Sequence, residues 1–116
     1  MKRGDIYLLE TKTIYNGSVQ AGTRPVIVIQ NDIGNLYSPT TIVCCITSAD
    51  KKWLPTHCDI STNGGLWKPS IVLCEQIKTV NKTDLRQKIG TITDTRTLER
   101  LNRCIRLSLG VQFTEE

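Results

Sequence analysis

Two regimes of hydrophobic spacing divide the chain near residue 93. Before it, apolar residues come in short runs broken by Gly, Pro, Asn and charged clusters; after it they recur every three to four residues. The first regime predicts strands. Gly4 to Glu10 alternates, with Ile6 and Leu8 on one face and Tyr7 and Leu9 on the other. Val26 to Ile29 is an unbroken β-branched run, which predicts a strand covered on both faces. Pro25, lacking an N–H, suits the first position of that strand, and it biases Arg24 towards an extended conformation at the rim of the core. Between these strands, Tyr15 to Thr23 is small, polar and twice interrupted by glycine, so it is expected to be an exposed, mobile connection resembling a lid.

Gly34-Asn35 and Ser38-Pro39 predict turns, after which Thr40 to Ile46 forms a strand closed by Thr47 and Ser48. The charges of Ala49-Asp50-Lys51-Lys52 indicate a solvated connection, leading through Trp53-Leu54-Pro55-Thr56-His57 to a short strand ending near Ile60. Asn63-Gly64-Gly65 signals a tight reversal. Ser70 to Leu73 is a further apolar strand ended by Glu75 and Gln76, with Ile77 to Val80 extending it after a bend. Asn81 to Leu85 reads as a turn or a single helical turn, and Lys88 to Thr93 as a last strand. The second regime is a terminal amphipathic helix carrying Leu98, Leu101, Ile105 and Leu109 on its apolar face. Thr93 or Asp94 caps its start, Gly110 its end, and nothing in Val111 to Glu116 compels order. Five to seven short strands and one C-terminal helix predict a mainly β protein, a small, partly open SH3-like barrel formed as a single domain over residues 1–116.

Composition narrows the class. Lys and Arg number 15 against 11 Asp and Glu, a net charge of +4 that is compatible with a polyanionic partner without requiring one. The five cysteines include the adjacent pair Cys44-Cys45 and no Cys-x-x-Cys spacing, which makes a poor disulfide framework and a poor zinc site. Buried thiols in a reducing compartment, the cytoplasm, are expected instead. No apolar run approaches the length of a membrane span, and no secretory leader is read at the N-terminus.

The strongest signatures of nucleotide, metal and ester chemistry are absent: no phosphate-cradling glycine loop with its lysine, no histidine pair, no Gly-x-Ser-x-Gly elbow. His57, the single histidine, is the default general acid or base; a hydrogen-bonded strand histidine is the plainer reading. Arg24 and Thr47, both at strand ends, offer a guanidinium and a hydroxyl, the groups that a pentavalent phosphorane needs. An Arg24 salt bridge to Asp32 or Glu75 and an ordinary strand-end hydroxyl at Thr47 account for the same spacing.

Five segments carry a resemblance that bears on this choice. They are Arg3-Gly4-Asp5-Ile6, Arg24 through Asp32, Ile46-Thr47-Ser48, Leu54-Pro55-Thr56-His57 and Leu73 through Thr79. In order and spacing, from Met1 to about Gly110, they resemble the motif series of the MazF/PemK toxins, the endoribonuclease halves of bacterial toxin–antitoxin pairs. The resemblance implies the CcdB/PemK-type plasmid maintenance toxin fold, a homodimer, and cleavage of single-stranded mRNA at a short sequence without metal or cofactor. It also implies 2′,3′-cyclic phosphate and 5′-hydroxyl ends, inhibition of translation and growth, and neutralisation by a MazE-like antitoxin with an acidic tail.

By the same resemblance Arg24 and Thr47 are the catalytic residues, and Ser18, Gln20, Asn31, Ser48, His57, Glu75 and Gln76 are RNA-binding candidates. Trp53 and Trp67 are candidates for base stacking, against half-buried packing or a dimer interface. One departure stands out: relatives commonly carry Gly-Ser-Glu-Gln-Gly-Gly before the arginine, where this chain has Gly17-Ser18-Val19-Gln20-Ala21-Gly22. The alternative is a CcdB-like, non-enzymatic toxin that binds a protein target such as gyrase, since a shared fold does not fix function.

Overall fold

Asn16 and Gly17 both adopt positive φ, 50° and 76°, the signature of a tight two-residue hairpin. They join β1 (Asp5–Tyr15) to β2 (Ser18–Val28), which pair without interruption from Tyr15 opposite Ser18 to Ile6 opposite Ile27. The computed structural model describes residues 1–50 and 52–111, and for 13–15 and 18–21 only the backbone. The expected mobile connection from Tyr15 to Thr23 is therefore corrected: its backbone is paired strand on both sides of an Asn-Gly turn. Pro25 likewise lies inside β2, not at its start. Its missing N–H is tolerated because the pairing of β2 with β3 (Thr40–Thr47) begins only at Val26.

Between β2 and β3, the expected turns are replaced by a short helix, α1 (Asp32–Tyr37). Asn31 caps it by accepting from the Gly34 N–H at 2.8 Å. Asn35, buried on α1, accepts from the Thr41 hydroxyl at 2.7 Å and donates to the Gln30 carbonyl at 2.9 Å, which ties the helix to β3. β4 (His57–Ser61) and β5 (Ser70–Asn81) follow; a single 3₁₀ turn, Lys82–Asp84, leads into β6 (Leu85–Thr91). The six strands form one antiparallel sheet in the order β4-β5-β3-β2-β1-β6.

The bend anticipated after Glu75 is a register shift within one continuous strand. Cys45 pairs with Leu73 and Cys44 with Ile77, so Cys74, Glu75 and Gln76 bulge out with no opposite residue on β3. At the sheet's two free edges, the turn after β4 reaches β6: a Cβ on Gly90 would lie 2.2 Å from the Gly64 carbonyl oxygen. Gly64 and Gly65 take positive φ to make that approach, which curves the sheet towards the expected partly open barrel.

α2 (Thr95–Leu109) covers one sheet face. Asp94 caps its start through the Thr97 N–H and hydroxyl, a contribution of about 1 kcal/mol for such caps, and Gly110 ends it in the left-handed conformation. Leu101 is fully buried against Ile6, Ile27, Cys44, Ile60 and Val72, with Leu98 and Ile105 half-buried beside it. Burying a side chain of this size contributes about 1.5–3 kcal/mol. Leu109, expected on the apolar face, is exposed. The opposite sheet face carries a second, smaller cluster of Leu9, Val26, Val28, Val43 and Leu85. Cys44, Cys58, Cys74 and Cys104 are buried thiols as expected.

Candidate active site

The pairing of β2 with β3 stops at Val26 opposite Cys45. Beyond that point β2 is held by β1, with Arg24 opposite Leu9, and β3 by β5, with Thr47 opposite Ile71. The two strands thus part while each stays anchored on its far side. Arg24 and Thr47 stand two residues past the last shared pair, so strand alternation puts both on the face of Val26 and Cys45. Rigid strands therefore carry both side chains at the mouth of one gap.

Arg24 is exposed and makes no hydrogen bond or ion pair with the described residues. The salt-bridge reading does not hold: Asp32 accepts instead from the Arg3 N–H at 2.7 Å, which holds its carboxyl below the usual range, and Glu75 is engaged elsewhere. The Thr47 hydroxyl oxygen accepts from the Ala49 N–H at 3.1 Å, which orients the hydroxyl and leaves its proton free to donate. Lys78, which the sequence reading passed over, pairs with Val43 and so shares the face of Arg24 and Thr47. Strand parity would have revealed it, had the β3–β5 register been known.

The remaining candidates separate by place. Ser48 is exposed and lines a cleft of about 320 Å³ with Pro25, Trp67, Lys68 and Gln87. Trp67 is 98% exposed and Trp53 56%, so in the single chain neither is packed away. Gln76 is exposed on the β5 bulge. Asn31 lies past the other end of β2 as the α1 cap, and the structure does not bring it to Arg24. The Ser18, Val19 and Gln20 side chains lie outside the described residues.

His57 departs most from expectation. Its residue exposure is 3%, so the ring is buried in the single chain. Its Nδ1 accepts from the Leu54 N–H at 3.2 Å, so the ring proton sits on Nε2, which donates to Glu75 Oε2 at 3.1 Å. With both nitrogens engaged, the ring has no lone pair for general base work. Thr56 donates to the other Glu75 oxygen at 3.0 Å. Partial burial pushes the Glu75 carboxyl up, but hydrogen bonds from its own N–H, His57 and Thr56 together bring it below its ordinary value. Among the described residues no group of His, Cys, Asp and Glu side chains has the arrangement of a metal site.

The family profile described as "PemK-like, MazF-like toxin of type II toxin-antitoxin system" matches residues 2–109. Curated relatives named Endoribonuclease MazF come from Staphylococcus saprophyticus subsp. saprophyticus, 43% identical over 113 residues, and from Staphylococcus epidermidis, 41% identical over 113 residues. Each alignment covers 96% of this chain and 92% of the relative. Among solved structures, a mycobacterial endoribonuclease in complex with its cognate antitoxin superposes with a TM-score of 0.79 at 20% identity, covering 98% of this chain and 99% of that one. A MazE-MazF structure from Deinococcus radiodurans gives 0.78 at 19% identity, covering 97% of each chain. These two likenesses establish the fold, while the profile and the staphylococcal relatives establish the kinship: the chain belongs to the PemK-like, MazF-like toxins of type II toxin-antitoxin systems.

Proposed function

We propose that this toxin is a metal-independent endoribonuclease that cleaves single-stranded mRNA where β2 and β3 part beyond the Val26–Cys45 pair, stopping translation and growth. The observation that carries the reading is the shared face and parallel displacement of Arg24 and Thr47 past the Val26–Cys45 pair. The names of the staphylococcal relatives support it and favour it over a gyrase-binding toxin.

In this reading a ribose 2′-hydroxyl attacks the adjacent phosphorus, losing its proton, and the 5′-oxygen leaves and gains one, giving a 2′,3′-cyclic phosphate and a 5′-hydroxyl. Arg24 offers a planar fork of donors to the phosphorane oxygens, and the Thr47 hydroxyl adds one more. A guanidinium holds its proton too tightly to act as a base at neutral pH, so the role of Arg24 is electrostatic. Ser18, Gln20, Asn31, Ser48, His57, Glu75 and Gln76 are the proposed RNA contacts, with Asn31 at the α1 end and the buried His57 acting through its hydrogen bond to Glu75.

A homodimer and a MazE-like antitoxin are the proposed partners; the antitoxin is supported by the complexes named for the structural neighbours and by the net charge of +4. The whole of 1–116 is proposed as one toxin domain, acting in the cytoplasm; five free cysteines suit that compartment. No helix among the described residues is long and apolar enough to cross a membrane. The test is cleavage of RNA in EDTA with end-group analysis: 5′-hydroxyl ends support the reading, and intact RNA or 5′-phosphate ends overturn it.

A further inference from the structure

A buried imidazole whose work is to orient one surface carboxylate calls for an explanation. Glu75 sits on the β5 bulge, where the register shift turns it out of the sheet. Thr56 donates to its Oε1 at 3.0 Å and His57 Nε2 to its Oε2 at 3.1 Å. The Leu54 N–H at 3.2 Å from Nδ1 fixes which nitrogen carries the proton. Trp53, more than half exposed, sets its ring at 89° to the His57 ring with centroids 5.6 Å apart. A solvent-facing aromatic ring and a held carboxylate are thus linked through one interior histidine.

The register places this cluster beside the catalytic pair. His57 pairs with Leu73, Leu73 with Cys45, and Cys45 with Val26, a row across four strands on one face. Thr47 and Arg24 lie two residues on from Cys45 and Val26 on that same face. RNA crossing the gap would therefore reach the cluster without leaving the face.

Resting on the ribonuclease reading above, we propose that Trp53 and Glu75 form a base-reading subsite in which an unstacked base lies against Trp53 and gives its exocyclic amine to Glu75. An ionised carboxylate only accepts hydrogen bonds, so it favours an amino-bearing base, cytosine N4 being the most direct match, and disfavours uracil, whose one donor, N3–H, lies between two carbonyl oxygens that repel the carboxylate. Thr56 and His57 are positioning residues: each occupies one lone pair of the carboxylate and leaves the outward ones for the base. A glutamate carboxyl is ionised at neutral pH, and the hydrogen bonds from Thr56 and His57 favour that form, so Glu75 acts there as an acceptor only.

The test is to sequence the 5′-hydroxyl ends produced from a mixed RNA pool by the wild type, Glu75→Gln, Thr56→Val and Trp53→Ala. The wild type is expected to disfavour uracil about ten-fold or more at one position near the cut. Glu75→Gln, whose amide both donates and accepts, admits uracil there while preferences elsewhere persist. Thr56→Val shifts the same position in the same direction, which a merely structural role would not do. Trp53→Ala raises KM by roughly ten-fold, the range of lost base stacking. A wild type without such a position, or a Glu75→Gln pattern identical to the wild type, overturns the subsite alone. A wild type that cuts no RNA overturns the ribonuclease reading and the subsite with it.

Discussion

Arg24 and Thr47 occupy equivalent places on neighbouring strands, each two residues beyond the Val26–Cys45 pair at which β2 and β3 cease to be bonded. Neither side chain supports the core: Arg24 is exposed and Thr47 bonds only the turn that follows it. Their replacement is therefore expected to change chemistry and spare stability. Loss of one preorganised transition-state donor costs about 10²–10³ in kcat, so Thr47→Val should fall in that range and Arg24→Ala at or beyond its upper end. Arg24→Lys keeps the charge, loses the fork and is expected in between. Single-turnover cleavage of a fluorogenic RNA measures this, with thermal melts as control; undiminished cleavage by Arg24→Ala or Thr47→Val would remove that residue from the mechanism.

Gly90 is required by contact, not by φ. Its α-carbon faces the backbone of the Gly64 turn, where a methyl group would sit 2.2 Å from the Gly64 carbonyl oxygen and 2.7 Å from its carbon. Backbone cannot swing aside as a flexible side chain can, so Gly90→Ala must separate β6 from the turn after β4. Overpacking of this kind costs about 3 kcal/mol or more. Gly22→Ala, whose nearest neighbour is the Thr11 hydroxyl at 3.9 Å, is the tolerated control. Urea unfolding of the two variants should separate them clearly; equal stability would mean that the sheet edges do not meet there.

How much of this was legible beforehand depended on whether the signal was local. α2 was, because its period and both caps, Asp94 and Gly110, lie within the helix or beside it. β3 was, because its burial follows from its own apolar run. The β1–β2 hairpin was not, although Asn16-Gly17 is the strongest short hairpin signal: the flanking residues lack an apolar face, and the backbone ladder that orders them leaves no mark on composition. Arg24 and Thr47 could be named from motifs, yet their common face needed the β2–β3 register. The same holds for the His57–Glu75 link, which joins residues 18 apart through a bulge no local pattern announces.

The thiols should be inert in the folded chain. Burial first, then neighbouring Cys104 and Cys74, pushes Cys58 up to about 12, and burial likewise raises Cys104. Cys74 is raised by its hydrogen bond with Cys44 and by burial. Since the thiolate is the reacting species, exchange with a disulfide reagent at pH 8 should be confined to the partly exposed Cys45. Adding denaturant should release all five. Rapid reaction of two or more thiols in the native protein would contradict the packing between α2 and the sheet.

Acid should weaken the hold on Glu75 in a defined direction. Its carboxyl lies below the ordinary value of 4.5 because three hydrogen bonds outweigh partial burial. The folded state thus binds that proton less tightly than the unfolded chain, so the stabilisation is complete above about pH 4.5 and fades as pH falls through the depressed value. With the side chain a third exposed, the contribution is expected to stay under about 1 kcal/mol. Glu75→Gln cannot ionise, so the stability it lacks relative to the wild type at pH 7 should shrink by pH 3. Urea titrations of both proteins at the two pH values measure the difference. A gap that widens on acidification would mean that Glu75 is held more firmly as the neutral acid, contrary to the hydrogen bonds from Thr56 and His57 that favour its ionised form.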